Sequence, residues 1–140
     1  MSATADHAEE RTNPATRLGF EPGQVVQEIG FEDDADQDLR EGIESVIGQE
    51  LVDEEYDDVA DVVLLWFRDE DGDLTDVLVD AIGLLDEGGR IWLLTPKTGR
   101  DGYVEPSDIN DAAQTAGLSQ TKSISVAKDW VGTKLIAPKR

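Results

Sequence analysis

Two rhythms of hydrophobic and polar positions run along the chain: short unbroken apolar runs, and stretches with apolar residues three and four apart. The strongest run is Asp61-Val62-Val63-Leu64-Leu65-Trp66-Phe67. Continuous apolar character of this kind marks a strand covered on both faces, as in a parallel sheet flanked by helices. A second such strand is Arg90-Ile91-Trp92-Leu93-Leu94-Thr95, ended by Pro96, with Glu87-Gly88-Gly89 turning the chain into it. Gln24 to Gly30 predicts an earlier strand. Pro22-Gly23 before it suits the centre of a type II turn, since Pro presets the first φ and Gly accepts the positive second one.

Helical spacing lies between these runs. Leu39, Ile43, Val46 and Ile47 share one helix face, with carboxylates gathered at its start and Gly48 as its stop. Leu74, Val77, Leu78, Ala81, Ile82 and Leu85 mark a second helix with Asp73 as N-cap. Pro106 to Ala116 predicts a third, stopped by Gly117. Leu51-Val52 is a candidate short edge strand. Ser119 to Lys128 and Thr133 to Ala137 are two closing strands, joined around Asp129 to Gly132. Alternating strands and helices give an α/β fold, a mostly parallel sheet with right-handed crossovers and an antiparallel last strand. Residues 1–17 are polar and without periodicity, which predicts a disordered tail ahead of one α/β domain over 18–140.

Composition narrows the chemistry. There is no cysteine, so disulfides, thiolate catalysis and Cys-ligated metals are excluded. The only histidine, His7, sits in the expected tail, leaving a Ser-His-Asp triad without a base. No G-x-x-x-x-G-K-[ST] phosphate loop or G-x-S-x-G elbow occurs. Asp69-Glu70-Asp71-Gly72-Asp73 invites a calcium loop, but its sixth and twelfth positions are Leu74 and Asp80 rather than Gly and Glu. A polar turn leading into a helix cap is the better reading. No apolar run is long enough to span a bilayer, and the first residues do not form a signal peptide, so a cytoplasmic address is expected.

The formal net charge is −20. It is unevenly placed: residues 1–95 carry 5 basic and 27 acidic side chains, residues 96–140 carry 7 basic and 5 acidic ones. Solubility or adaptation to salt is the simpler reading of the bulk charge and binding to a basic protein surface the sharper one, and the charge disfavours bare nucleic acid and anionic membranes. The polarity hints at an interaction surface.

The stretch Asp61 to Phe67, a following helix, and Leu84-Leu85-Asp86-Glu87-Gly88-Gly89-Arg90-Ile91-Trp92-Leu93 resemble the second half of a class I, Rossmann-like methyltransferase domain. The resemblance implies a methyltransferase-like but reduced scaffold. That class carries a G-x-G-x-G turn after its first strand for an S-adenosyl cofactor. The corresponding run here is Glu28-Ile29-Gly30-Phe31-Glu32-Asp33-Asp34, with one glycine followed by a bulky ring and three acids, so no cofactor is expected. The whole chain also resembles a family of small acidic actinobacterial proteins known only as a domain of unknown function. Leu18 to Gly30, Ile91 to Arg100 and Ser123 to Trp130 carry that resemblance.

In the methyltransferase-like order, Lys97, Arg100, Lys128, Trp130 and Lys134 converge on the carboxyl edge of the sheet, where open α/β sheets bind ligands. A cationic rim with an exposed indole suits a protein partner or a small anion. The alternative is that these lysines neutralise nearby acids while Trp130 packs over the core edge. The reading that follows is a non-catalytic binding or regulatory module. An enzyme or sensor for a phosphorylated or nucleotide-like molecule is the runner-up. A nucleic-acid mimic using Glu32 to Asp38 and Asp53 to Asp58 is the third.

Overall fold

The computed structural model describes residues 14–137. It begins with a helical turn, α1 (Pro14–Arg17), whose Ala15 is fully buried together with the following Leu18. The domain boundary expected after residue 17 therefore falls too late, and the rest of the expected tail lies outside the described residues. Gly23 follows at φ +87°, and the Gln24 amide donates to the Glu21 carbonyl at 3.3 Å, the predicted turn.

Five strands form one sheet. Strand β1 (Val26–Ile29) leads to helix α2 (Gln37–Ile47), then β2 (Ala60–Trp66), a short 3-10 turn (Asp69–Asp71) and α3 (Leu74–Ile82). Strand β3 (Leu85–Pro96), α4 (Pro106–Ala116), β4 (Ser119–Ser125) and β5 (Trp130–Ile136) complete the chain. The order across the sheet is β1-β2-β3-β5-β4, with β1, β2 and β3 parallel and β5 antiparallel to both its neighbours. The connection from β1 to β2 and on to β3 runs one way across the sheet. The excursion through α2 touches the other side of β1, where Val52 makes a single parallel bridge to Gln27. The expected Leu51-Val52 edge strand is reduced to that bridge.

Helix boundaries follow the local chemistry. Asp36 caps α2 by accepting from the Leu39 amide at 2.8 Å, and Gly48 ends it in the left-handed region. Leu39, Ile43 and Ile47 are buried, each contributing roughly 1.5–3 kcal/mol on burial. Asp73 caps α3 as expected. Helices α1 and α2 cover one face of the sheet, closing a cluster that includes Val26, Leu64, Trp66, Trp92 and Trp130. Helices α3 and α4 cover the other, over Val63, Leu65, Ile91, Leu93 and Leu135. Both faces of β2 and β3 are thus buried, which is why their sequences run apolar without alternation.

Three boundaries differ from the pattern-based expectation. Glu87-Gly88-Gly89 lies within a continuous β3 as an irregularity, because Ala60 pairs with Leu85 while Val62 pairs with Arg90. Strand β4 stops at Ser125, and Val126 to Asp129 form the tight connection to β5. Strand β5 starts at Trp130, ahead of the expected Thr133, because Trp130 pairs with Pro96. No helix among the described residues is long and apolar enough to cross a membrane.

Candidate functional site

The carboxyl ends of β1 and β2 lie side by side, with α2 following β1 on one face of the sheet and α3 following β2 on the other. Open α/β sheets form a ligand crevice at such a place. Here one side chain of the protein fills it. Arg68, just beyond β2, is buried at 3% exposure. Its Nε donates to Asp34 Oδ2 at 3.0 Å, and its Nη2 donates to Asp34 Oδ1 in a short contact. Nη1 donates to the Gly30 carbonyl at 2.8 Å and to Asp71 Oδ2 at 3.2 Å, with Glu32 at 3.5 Å. The guanidinium also lies 5.2 Å from the centre of the Trp130 ring. Burial works against its charge, and the hydrogen bonds to Asp34 and Asp71 outweigh it, holding Arg68 above its ordinary pKa. Asp34 is reciprocally held below the usual carboxylate value by its hydrogen bonds to Arg68.

A second buried pair lies nearby. Glu28, on β1 and 6% exposed, accepts from Arg40 Nε and Nη2 at 2.7 and 2.8 Å and from the Trp66 indole at 2.8 Å. Arg40 itself sits 4.2 Å over the Phe31 ring. The loop after β1 is therefore fixed from both sides, by Arg40 on α2 and by Arg68 after β2.

Gly30 shows what the one glycine of this loop does. Its φ is +80°, and a Cβ built there would lie 2.3 Å from the Trp66 carbonyl oxygen. The glycine allows two stretches of backbone to touch, rather than opening a cradle for a ligand. With a guanidinium and carboxylates in the crevice, these residues do not fit an S-adenosyl cofactor. Among the described residues, no group of three or more His, Asp or Glu is arranged to hold a metal ion.

Beside the filled crevice is an open cleft of about 460 Å³, lined by Asp34, Pro96, Gly99, Arg100, Asp101, Asp129 and Trp130. Its walls are built by the ends of β3 and β5. The Lys97 amide donates to the Asp129 carbonyl at 2.9 Å, and the Arg100 amide to the Lys97 carbonyl at 3.0 Å. Arg100 Nη1 pairs with Asp129 Oδ1 at 3.1 Å.

Four of the five expected rim residues, Lys97, Arg100, Lys128 and Trp130, are thus brought to one edge. Two corrections follow. Trp130 is not an exposed indole: it is 3% exposed, packs edge-on to Trp66 with ring centres 4.8 Å apart, and donates from Nε1 to the Asp34 carbonyl at 3.2 Å. It is the floor of the cleft, matching the core-edge alternative. Lys134 is not at the rim. It pairs in register with Trp92, four residues along β5 from Trp130, which is about 13 Å of extended chain. The early start of β5 carries it down the strand.

The residues missed from sequence are Arg68, Asp34, Glu28 and Arg40. A signal existed for two of them. Arg68 follows the apolar run directly, so it leaves the sheet at the carboxyl edge, and Glu28 shares a strand face with the buried Val26. The acidic loops are also partly internal. Glu32 and Asp34 meet Arg68, Asp36 caps α2, and Glu54 accepts from the Gly30 amide at 3.2 Å.

A family described as protein of unknown function, DUF3052, matches residues 15–139. Uncharacterized proteins of Mycobacterium tuberculosis and Mycobacterium bovis are each 51% identical over 135 residues, spanning 96% of this chain and 83% of theirs. Among solved structures, the magnesium protoporphyrin IX methyltransferase from Synechocystis PCC 6803 with bound SAM matches with TM-score 0.55 at 11% identity, over 97% of this chain and 79% of that one. A methyltransferase from Pyrococcus furiosus matches with TM-score 0.52 at 17% identity, over 89% and 83%. The fold is methyltransferase-like.

Proposed function

Because the chain belongs to the DUF3052 family of proteins of unknown function, and its sheet carries a filled crevice beside an open cleft, we propose that it is a non-catalytic protein-binding module of the cytoplasm. The observation that supports this reading is the position of Arg68. A buried, multiply hydrogen-bonded guanidinium sits at the carboxyl ends of β1 and β2, where open α/β sheets bind ligands, which leaves the neighbouring rim as the accessible surface. Lys97 and Lys128 flank that rim. The cleft between them presents Asp34, Asp101 and Asp129 against Arg100, which is already paired with Asp129. Mixed charge over a rigid indole floor suits a protein surface carrying both signs better than a small anion.

The test is recovery of partners from the native cell with the wild type and with a Lys97→Glu, Lys128→Glu double variant. Loss of a stoichiometric partner by a folded double variant is the expected result. Retention of every partner would remove the reading. The second reading, a sensor or enzyme for a phosphorylated or nucleotide-like molecule, draws on the cleft volume. Specific thermal stabilisation by such compounds would favour it, since a ligand that binds only the folded state raises its melting temperature.

A further inference from the structure

The two edges of the sheet are treated very differently. Beyond β1, the outer backbone is taken up by Val52, whose amide donates to the Val26 carbonyl at 3.0 Å and whose carbonyl accepts from the Glu28 amide at 2.8 Å. The Gln27 side chain donates to the Asp53 and Tyr56 carbonyls, and carboxylates crowd the same loop. That edge is closed. At the opposite end β4 is, among the described residues, the terminal strand, paired on one side only, and all its residues but Ile124 are exposed. It has no proline, and its only charged residue is Lys122. Its pairing with β5 shifts register between Gln120 and Lys122, and the regular run Lys122 to Ser125 beyond it, with free amides and carbonyls on its outer side, is a template for another strand.

Two lysines beside it have no paired carboxylate among the described residues. Lys122 stands directly opposite Lys134 across β4 and β5, and Lys134 directly opposite Trp92 on β3. Lys134 shares its face with Gly132, where an added Cβ would meet Val126 at 2.6 Å and Trp92 at 3.2 Å. Arg90 lies two residues from Trp92 on that same face. Arg90 is served by the Gly19 carbonyl at 2.6 Å and lies in the field of Glu21 and Asp61, whereas among the described residues neither Lys122 nor Lys134 has a carboxylate within salt-bridge distance, in a protein with 32 acidic residues against 12 basic ones. Like charges directly opposite on neighbouring strands repel. Burial, then Arg90 and Lys122, hold Lys134 below its ordinary pKa. Two like charges held opposite each other at this edge, Lys122 and Lys134, suit an external counter-charge.

We propose that β4 is a docking strand for an extended acidic segment of a partner protein, which adds to the sheet by backbone pairing and sets a carboxylate beside Lys122, with Lys134 in the same row one strand further in. This is β-augmentation, in which the backbone gives affinity and alternate side chains give specificity. The molecule's net charge does not forbid it. At physiological salt the screening length is about 8 Å, so carboxylates near β1, several strands away, are screened while the adjacent lysines are not. A second copy is disfavoured as occupant, because two such acidic bodies repel and each would bring another Lys122 to the junction. None of the rim residues takes part, so the docking strand is independent of the rim.

The test uses the full chain and two short capped peptides, one alternating threonine with glutamate and the other threonine with lysine. Affinity is measured at physiological salt, and residue-resolved hydrogen exchange follows the β4 amides. The glutamate peptide is expected to bind and to protect β4 amides that β5 leaves free. A Lys122→Glu, Lys134→Glu variant should weaken it at least about fivefold, since the peptide carboxylate beside position 122 would then face a like charge with a second one behind it. The Lys122→Arg, Lys134→Arg variant should retain binding, which controls for folding. The rim variant Lys97→Glu, Lys128→Glu should also retain it, so this proposal and the rim reading fail separately. Equal binding of the lysine peptide, unchanged affinity in the charge-reversed variant, or no binding up to millimolar peptide would overturn the proposal. So would β4 protection that rises with protein concentration alone, which would make a second copy the occupant.

Discussion

Replacing Arg68 with methionine removes the guanidinium while keeping a long apolar stem in its place. In the folded protein that group makes two hydrogen bonds to Asp34, one to Asp71, one to the Gly30 carbonyl and a longer one to the Trp66 carbonyl. Charged hydrogen bonds contribute about 1.5–3 kcal/mol each in isolation, but their loss is not additive. Asp34 and Glu32 are more than half exposed as side chains, so both carboxylates return to water at small cost. The Gly30 carbonyl loses its donor, and the pull between the β1 loop, the turn after β2 and β5 disappears. The expected destabilisation is about 2–4 kcal/mol, at the lower end of what breaking a buried pair costs. Urea denaturation checks it: with a slope of about 1–3 kcal/mol per molar, the midpoint should fall by roughly 1–2 M. Arg68→Lys should fall between the two, since an ammonium keeps the charge but not the planar fork. If Arg68→Met costs less than about 0.5 kcal/mol, far below a single charged hydrogen bond, Arg68 does not pin the crevice and the filled-site reading fails.

Gly30→Ala should cost at least about 3 kcal/mol, because it adds a backbone collision to a positive φ, whereas Gly48→Ala should cost only about 1 kcal/mol for the φ alone. Equal losses in denaturant melts would show that β1 and β2 can part without penalty. Glu28→Gln should cost about 2–3 kcal/mol, and combining it with Arg40→Met should recover part of that loss in a double-mutant cycle. Strict additivity would mean that the two residues act independently. Asp34 has a folded pKa below its unfolded value, so its contribution is complete above the unfolded pKa of about 3.9 and is lost as pH falls through the folded value. Asp34→Asn should therefore flatten the acid limb of a stability profile measured from about pH 6 to about pH 2. An unchanged limb would contradict the pairing with Arg68.

Much of this architecture is legible in the chain because its elements are locally determined. Asp73 and Gly48 mark helix ends by their own hydrogen bonding and backbone freedom, and Val62 to Phe67 is apolar because both its faces are covered. The difficult places are those where a distant partner decides. Trp130 reads as a loop residue until its pairing with Pro96 extends β5 to it, and that one pairing also carries Lys134 away from the rim. Gly88 and Gly89 read as a turn, yet β2 holds both ends of the irregularity in register. Arg68 and Asp34 are 34 residues apart, and nothing local in either marks their contact. The candidate rim was legible as an edge, since strand ends follow from topology. Its chemistry was not, because Asp34, Asp101 and Asp129 line the cleft between the flanking lysines.

The tryptophans give the protein an optical consequence. All three, Trp66, Trp92 and Trp130, are buried in the cluster on one side of the sheet. Trp130 forms the floor of the cleft and abuts Trp66 edge-on, so anything entering there disturbs a coupled pair of chromophores. A strand added outside β4 lies three strand spacings from β3 and its Trp92, about 14 Å away, with no indole at the junction. Intrinsic emission and near-ultraviolet dichroism of the unlabelled protein should therefore tell the two surfaces apart, changing when the cleft is occupied and staying nearly silent when the edge is.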